Sequence, residues 1–166
     1  MKIIKYVIFF IIICLALIIE ATFFSKLKFF GANPNMILVI IISMSFFISN
    51  KTAYIYAGIA GLLEDLFIGS MIGSNIIVLI ITIYLVKTYS SRVIRENIIT
   101  PLIIIFIGSF TYYIMMAVIL FIAGNGILLN VEYLQTIVFG SIYSLFLALV
   151  IYPICYLSLH NHRGEI

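Results

Sequence analysis

Two adjacent carboxylates, Glu64 and Asp65, lie in an apolar stretch that runs from Ala53 to Gly73. An ionised carboxylate at the centre of a membrane helix costs about 3 kcal/mol on insertion scales. Such a group is tolerated where it faces protein, water or a partner rather than lipid tails. The pair therefore predicts an ion or proton site, a substrate-binding group, or a buried contact with a cation of a partner protein.

In the structural alternative, the helix is shorter and the two acids lie near the membrane interface. Ala53 and Glu64 are 11 residue steps apart, which is about 17 Å at the rise of an α-helix, or roughly half of the hydrocarbon core. The alternative therefore requires a considerable shift of the helix. Adjacent helical residues also point about 100° apart, so Glu64 and Asp65 are not expected to act as one acid–base pair.

Glycines accompany the acids. Gly58 and Gly61 fall on the same helix face as Asp65, because steps of three and four residues share a face. Small residues allow another backbone to come close, which is typical of packed membrane helices. We therefore expect a central, tightly packed helix with its acidic pair turned inward, in which Asp65 sets the helix register or contacts a partner.

The last apolar segment carries a second row of small residues, spaced by four, which predicts a helix-contact face. Its members are Thr136, Gly140, Ser144 and Ala148. The neighbouring helix could belong to the same chain or to another protein.

Composition decides the class of protein. Of the 166 residues, 65% are hydrophobic and 9% charged, with a mean hydropathy of +1.32, whereas soluble domains carry roughly a quarter charged residues. We predict an all-α, integral membrane bundle, with residues 1–166 forming one transmembrane domain of about six helices. The predicted spans cover residues 6–24, 35–49, 53–72, 75–89, 99–123 and 132–157. In the second, Asn33 is expected to cap the helix and Pro34 to occupy its first turn.

The basic residues indicate the orientation of these spans. Seven Lys and Arg residues fall on one side of the predicted topology and two on the other, which places both termini in the cytoplasm. The seven are Lys2, Lys5, Lys51, Lys87, Arg92, Arg95 and Arg163; the two are Lys26 and Lys28. The polar segment from Lys87 to Asn97 could also dock a cytoplasmic protein or anionic lipid headgroups.

The other side chains give little indication of catalysis, metal binding or nucleic-acid binding. The net charge of +3 is small and scattered, so nucleic-acid binding is not expected. Cys14 and Cys155 lie in separate apolar runs, and His160 and His162 lie in the polar tail without companion ligands. We therefore predict no catalytic residues, no metal site, no cofactor and no enzymatic activity.

The segment PNMILVIIISMSFFISNKTAYIYAGIAGLLEDLFIGSMIGSN resembles the signature region of the rod shape-determining protein MreD family. The resemblance rests on Asn33-Pro34-Asn35 at the opening of the second predicted span, on the Gly58-x-x-Gly61 step, and on the position of Asp65 four residues after Gly61. Two further glycines follow, Gly69 and Gly73. The resemblance covers about a quarter of the chain.

The resemblance implies a non-enzymatic component of the bacterial cell-elongation machinery in the cytoplasmic membrane. Such proteins associate with MreC and, with MreB, RodA and a class B penicillin-binding protein, organise lateral peptidoglycan synthesis. It also implies a fold similar to the S component of energy-coupling factor transporters. A vitamin- or metal-binding S component is therefore the alternative, and a carrier or channel that uses Glu64 and Asp65 is a third hypothesis.

Overall fold

A computed structural model describes residues 2–24, 32–68, 71–90, 99–124 and 131–160. These residues form six α-helices, and each overlaps one of the segments predicted from the sequence. They are α1 (Lys2–Ile19), α2 (Met36–Ser45), α3 (Asn50–Phe67), α4 (Ser74–Ser90), α5 (Ile99–Ile122) and α6 (Val131–His160). A π-helical turn, Glu20–Phe24, continues α1.

The shortest helix, α2, lies at the centre of the bundle. Every residue of α2 after Met36 is buried, and α2 contacts each of the other five helices. A helix that is apolar around its whole circumference is expected in such a fully enclosed position. Helices α3 and α4 pack against each other as one antiparallel pair, and α5 and α6 form a second pair.

Polar side chains define where α2 and α3 begin. Oδ1 of Asn35 accepts a hydrogen bond from the N–H of Leu38 at 2.6 Å, and Oγ of Ser49 accepts one from the N–H of Thr52 at 3.4 Å. Both are N-cap interactions, which satisfy amides that have no partner inside the helix. The predictions that Asn33 caps α2 and that Pro34 lies in its first turn were wrong, because Asn35 is the N-cap and α2 starts at Met36.

Among the residues that the structure describes, two helical segments are long and apolar enough to cross a membrane, Ile99–Ile122 and Tyr133–Leu157. Large apolar side chains cover their outer surfaces; on α5, Ile103 is 53% exposed and Ile107 is 51% exposed. Large contiguous apolar surfaces are rare on soluble monomers and common where a protein meets lipid. These features are compatible with membrane association, and the remaining spans stay predictions.

Candidate functional site

Three carboxylates meet in the interior of the bundle. Glu20 comes from the π-helical turn after α1, and Glu64 and Asp65 come from the last turn of α3; their exposed fractions are 8%, 4% and 3%. Buried charges are costly unless they are hydrogen-bonded. The donors that reach these carboxylates therefore define what the cluster does.

Asp65 caps the N-terminus of α4. Its Oδ2 accepts hydrogen bonds from the N–H groups of Gly73 at 2.8 Å and Ile76 at 3.4 Å. Its Oδ1 accepts from the N–H of Asn75 at 3.0 Å and from the hydroxyl of Ser74 at 3.3 Å. A helix N-terminus presents unpaired N–H groups and the positive end of the helix dipole. A carboxylate is well suited to both, so Asp65 fixes α4 against the end of α3.

The backbone at Gly73 makes this cap possible. Gly73 has a φ of +100°, in the left-handed region that glycine adopts without steric cost. It directly precedes α4, and its N–H donates the shortest of the bonds to Asp65. Any other L-residue at this position would strain the turn that aims these amides at the carboxylate.

Glu20 caps α2 in the same manner. Its Oε2 accepts hydrogen bonds from the N–H groups of Met36 at 3.2 Å and Ile37 at 3.4 Å. Together with the cap from Asn35, side chains satisfy the first three amides of α2. Glu20 was not among the site residues predicted from the sequence. The available signal was an acid at the end of a predicted span, which in a membrane protein indicates a specific partner.

Glu64 joins four helices through amide and hydroxyl groups. Nδ2 of Asn35 donates to Oε1 of Glu64 at 2.5 Å and lies 3.3 Å from the hydroxyl of Tyr112. That hydroxyl donates to Oδ1 of Asn75 at 2.5 Å and lies 3.4 Å from Oε1 of Glu64. The Tyr112 hydroxyl, in the middle of α5, thus links the start of α2, the end of α3 and the first turn of α4.

Of the two glycines on the α3 face, Gly61 has the closer neighbour. A Cβ atom built on Gly61 would lie 2.7 Å from the Cα and N atoms of Ile76 on α4, closer than real Cβ atoms come. A Cβ atom on Gly58 would lie 3.7 Å from Cδ1 of Ile80, an ordinary contact. The close approach at Gly61 brings the first turn of α4 to Asp65.

The row of small residues on α6 packs inside the chain. A Cβ atom on Gly140 would lie 2.6 Å from Cζ of Tyr113 on α5, and the hydroxyl of Tyr113 donates to the carbonyl of Asn33 at 3.3 Å. Ser144 and Ala148 are buried, and Thr136 is half-buried. The row therefore includes an intramolecular helix contact, one of the two possibilities that the sequence left open.

The remaining predicted site residues lie around the cluster or outside the described part of the chain. Asn33 is exposed and Pro34 is buried in the segment before α2. Gly69 and most of the basic segment after α4 lie outside the described residues. Within the described residues, no group of three or more His, Cys, Asp or Glu side chains is arranged to hold a metal ion.

This arrangement holds helices in register: two carboxylates cap the helix N-termini, and a third is bonded to side chains from neighbouring helices. A family model described as "rod shape-determining protein MreD" matches residues 1–161. The chain belongs to the MreD family. Comparisons with curated proteins and with solved structures gave no match. Membership in the MreD family implies a role in determining rod shape. The family consists of structural membrane proteins and is not a known enzyme family.

Proposed function

We propose that this MreD-family chain is a non-enzymatic membrane scaffold of the bacterial cell-elongation machinery. In this role it binds MreC and, with MreB, RodA and a penicillin-binding protein, supports lateral peptidoglycan synthesis. The family match over residues 1–161 is the observation that carries the proposal. The partners come from the resemblance of the signature region to this family.

The use of the interior acids supports a scaffold. Within the described part of the chain, Asp65 accepts four hydrogen bonds from groups at the start of α4, and Glu20 accepts two from groups at the start of α2. The carboxylates thereby tie α2 and α4 to their neighbours. A protein that recruits others through its outer surface needs such a rigid interior, because interface residues must keep fixed positions to be recognised.

We further propose six membrane spans with both termini in the cytoplasm. The excess of Lys and Arg on one side of the predicted topology supports this orientation. Reporter domains that are active only in the cytoplasm, fused to either terminus, are expected to be active. Activity at one terminus alone would require an odd number of spans and would contradict the topology.

Affinity purification tests the proposed function. The tagged chain is extracted from membranes of its own host in mild detergent, and co-purified proteins are identified by mass spectrometry. We expect MreC, together with RodA or a penicillin-binding protein. Recovery of an ATPase-driven transporter module without MreC would instead identify an S component. A tagged membrane protein of similar size and unrelated family serves as the control for non-specific capture.

A further inference from the structure

The interior cluster carries negative charge that its neutral donors do not fully offset. Among the described residues, every group that donates to Glu20, Glu64 or Asp65 is an amide N–H or a hydroxyl. Buried carboxylates are normally neutralised by a cation or a proton, or stabilised by several donors. The three acids differ sharply in how many donors they receive.

Asp65 and Glu20 each receive several hydrogen bonds. Asp65 accepts four hydrogen bonds at the N-terminus of α4, and Glu20 accepts two at the N-terminus of α2. Each helix N-terminus adds about half a positive charge. These two carboxylates therefore have both donors and a favourable field.

Glu64 has fewer donors, and within the described part of the chain no helix N-terminal N–H group donates to it. Its donors approach Oε1 only, and the single proton of the Tyr112 hydroxyl is directed at Asn75, 2.5 Å away, rather than at Glu64, 3.4 Å away. Oε2 of Glu64 exposes less than 1 Å² and has no hydrogen-bond partner within the described part of the chain. The carboxylates of Glu20 and Asp65 also lie close enough to repel a negative charge on Glu64.

We propose that Glu64 binds a proton, carried on Oε2, and is a neutral carboxylic acid inside the folded bundle. The surface left at Oε2 is too small for contact with a water-sized particle, so a metal ion would have to displace packed groups. Protonation keeps Oε1 free to accept from Asn35 and removes the repulsion from Glu20 and Asp65. An unpaired hydroxyl is also less costly to bury than an unpaired charge.

The titratable groups around Glu64 are consistent with this assignment. Glu20 faces it from the turn after α1, Asp65 follows it on α3, and Tyr112 and Tyr113 face it from α5. The other two neighbours, Asn35 and Asn75, do not titrate. Loss of the proton would place a negative charge on Glu64 beside two other carboxyl groups. We therefore expect the helices around Glu64 to loosen as the pH is raised.

Infrared spectroscopy of the purified full chain in detergent tests the assignment directly. A protonated carboxylic acid gives a carbonyl band that is separate from the carboxylate bands and shifts in D₂O. We expect this band at neutral pH, moved by ¹³C labelling of glutamate side chains and lost in Glu64→Gln. Its absence from the labelled wild-type protein would overturn the proposal, and so would its persistence in the variant. If Glu64→Gln does not fold, the same measurement on Glu20→Gln decides the question, because Glu20 is the other glutamate that is buried among the described residues. Retention of the labelled band there assigns it to Glu64, and its loss would overturn the proposal.

Thermal unfolding of two neighbouring isosteric variants gives an independent test. Glu64→Gln replaces a neutral acid by a neutral amide, so its unfolding midpoint at neutral pH should stay close to that of the wild type and lose its decrease at high pH. Asp65→Asn makes the same chemical change on a carboxyl group that accepts three backbone N–H bonds at the start of α4, and its midpoint should fall by several degrees. The reverse order would contradict a proton on Glu64. A wild-type midpoint that rises with NaCl but not KCl, together with no acid band, would assign a sodium ion instead.

Discussion

The hydroxyl of Tyr112 on α5 donates a hydrogen bond to Oδ1 of Asn75 on α4 at 2.5 Å, across 37 positions of sequence. The same hydroxyl lies 3.3 Å from Nδ2 of Asn35. Tyr112 is 3% exposed, so water cannot easily replace a lost bond. The tyrosine thus connects the first turns of α2 and α4 to the middle of α5.

We expect Tyr112→Phe to lower the free energy of unfolding by about 1–3 kcal/mol, because it leaves a buried amide oxygen without its donor. Thermal or denaturant unfolding in detergent measures the change. Tyr84→Phe on α4 is the matched control, since Tyr84 is 57% exposed and should change stability by less than about 0.5 kcal/mol. Equal effects of the two substitutions would show that the buried bond contributes nothing specific.

Asp65→Leu should release the N-terminus of α4. The substitution leaves the N–H groups of Gly73, Asn75 and Ile76 without their acceptor, at a cost of about 2 kcal/mol. Hydrogen exchange of the first turn of α4 should therefore accelerate by more than about tenfold, because 1.4 kcal/mol corresponds to a factor of ten. Exchange in the middle of α5 should change much less.

The same variant tests the proposed scaffold. Asp65→Leu should reduce the amount of MreC that co-purifies, while the protein remains in the membrane. Ser74→Ala removes the hydroxyl bonds to Asp65 at 3.3 Å and to the carbonyl of Met71 at 2.8 Å. It keeps the three backbone N–H bonds to Asp65 and should keep most of the MreC. Unchanged recovery of MreC and normal cell shape with Asp65→Leu would show that assembly with MreC does not depend on the Asp65 cap.

Gly61→Ala and Gly58→Ala form a matched pair on one face of α3. The new methyl group at Gly61 would lie 2.7 Å from backbone atoms of Ile76, whereas at Gly58 the nearest atom is a flexible side-chain carbon at 3.7 Å. We expect Gly61→Ala to cost about 1–3 kcal/mol through overpacking. Gly58→Ala should be neutral or stabilise by up to about 1 kcal/mol, because alanine favours a helix. Unfolding midpoints in one detergent compare the two, and similar losses would contradict the close contact at Gly61.

Sequence patterns predicted a large part of this arrangement. The acid pair in an apolar helix indicated an inward face, and the spacing of Gly61 and Asp65 placed both on it. These signals succeed because they depend on helical periodicity alone, which is local. Periodicity also identified Gly140 as part of a contact face, although it could not say that Tyr113 lies opposite.

The partners of the acids could not be predicted in this way. Glu20 accepts hydrogen bonds from the amides of Met36 and Ile37 only because α2 starts next to the π-helical turn after α1. That position depends on tertiary packing, which local sequence patterns do not report. The choice of Asn35 over Asn33 as the cap is of the same kind. Both are asparagines next to Pro34, and contacts with Glu64 and Tyr112 favour the second.

The contact between Gly140 and Tyr113 gives a further prediction. A Cβ atom on Gly140 would lie 2.6 Å from Cζ and 2.8 Å from Cε2 of the Tyr113 ring. The ring is held by a hydrogen bond to the carbonyl of Asn33 and by edge-to-face packing on Tyr112, with centroids 5.4 Å apart. It therefore cannot move aside without breaking these contacts. Gly140→Ala should lower the free energy of unfolding by about 1–3 kcal/mol.

A double-mutant cycle shows whether the ring is the cause. Tyr113→Ala alone should destabilise the protein by about 3–5 kcal/mol through lost packing. In that background Gly140→Ala has space for its methyl group, so its own cost should fall to near zero or become a gain. This difference gives a coupling energy of about 0.5–3 kcal/mol between the two positions. Additive losses would mean that Gly140 is required by something other than Tyr113, and would point to a second helix, from this chain or from a partner, at the same face of α6.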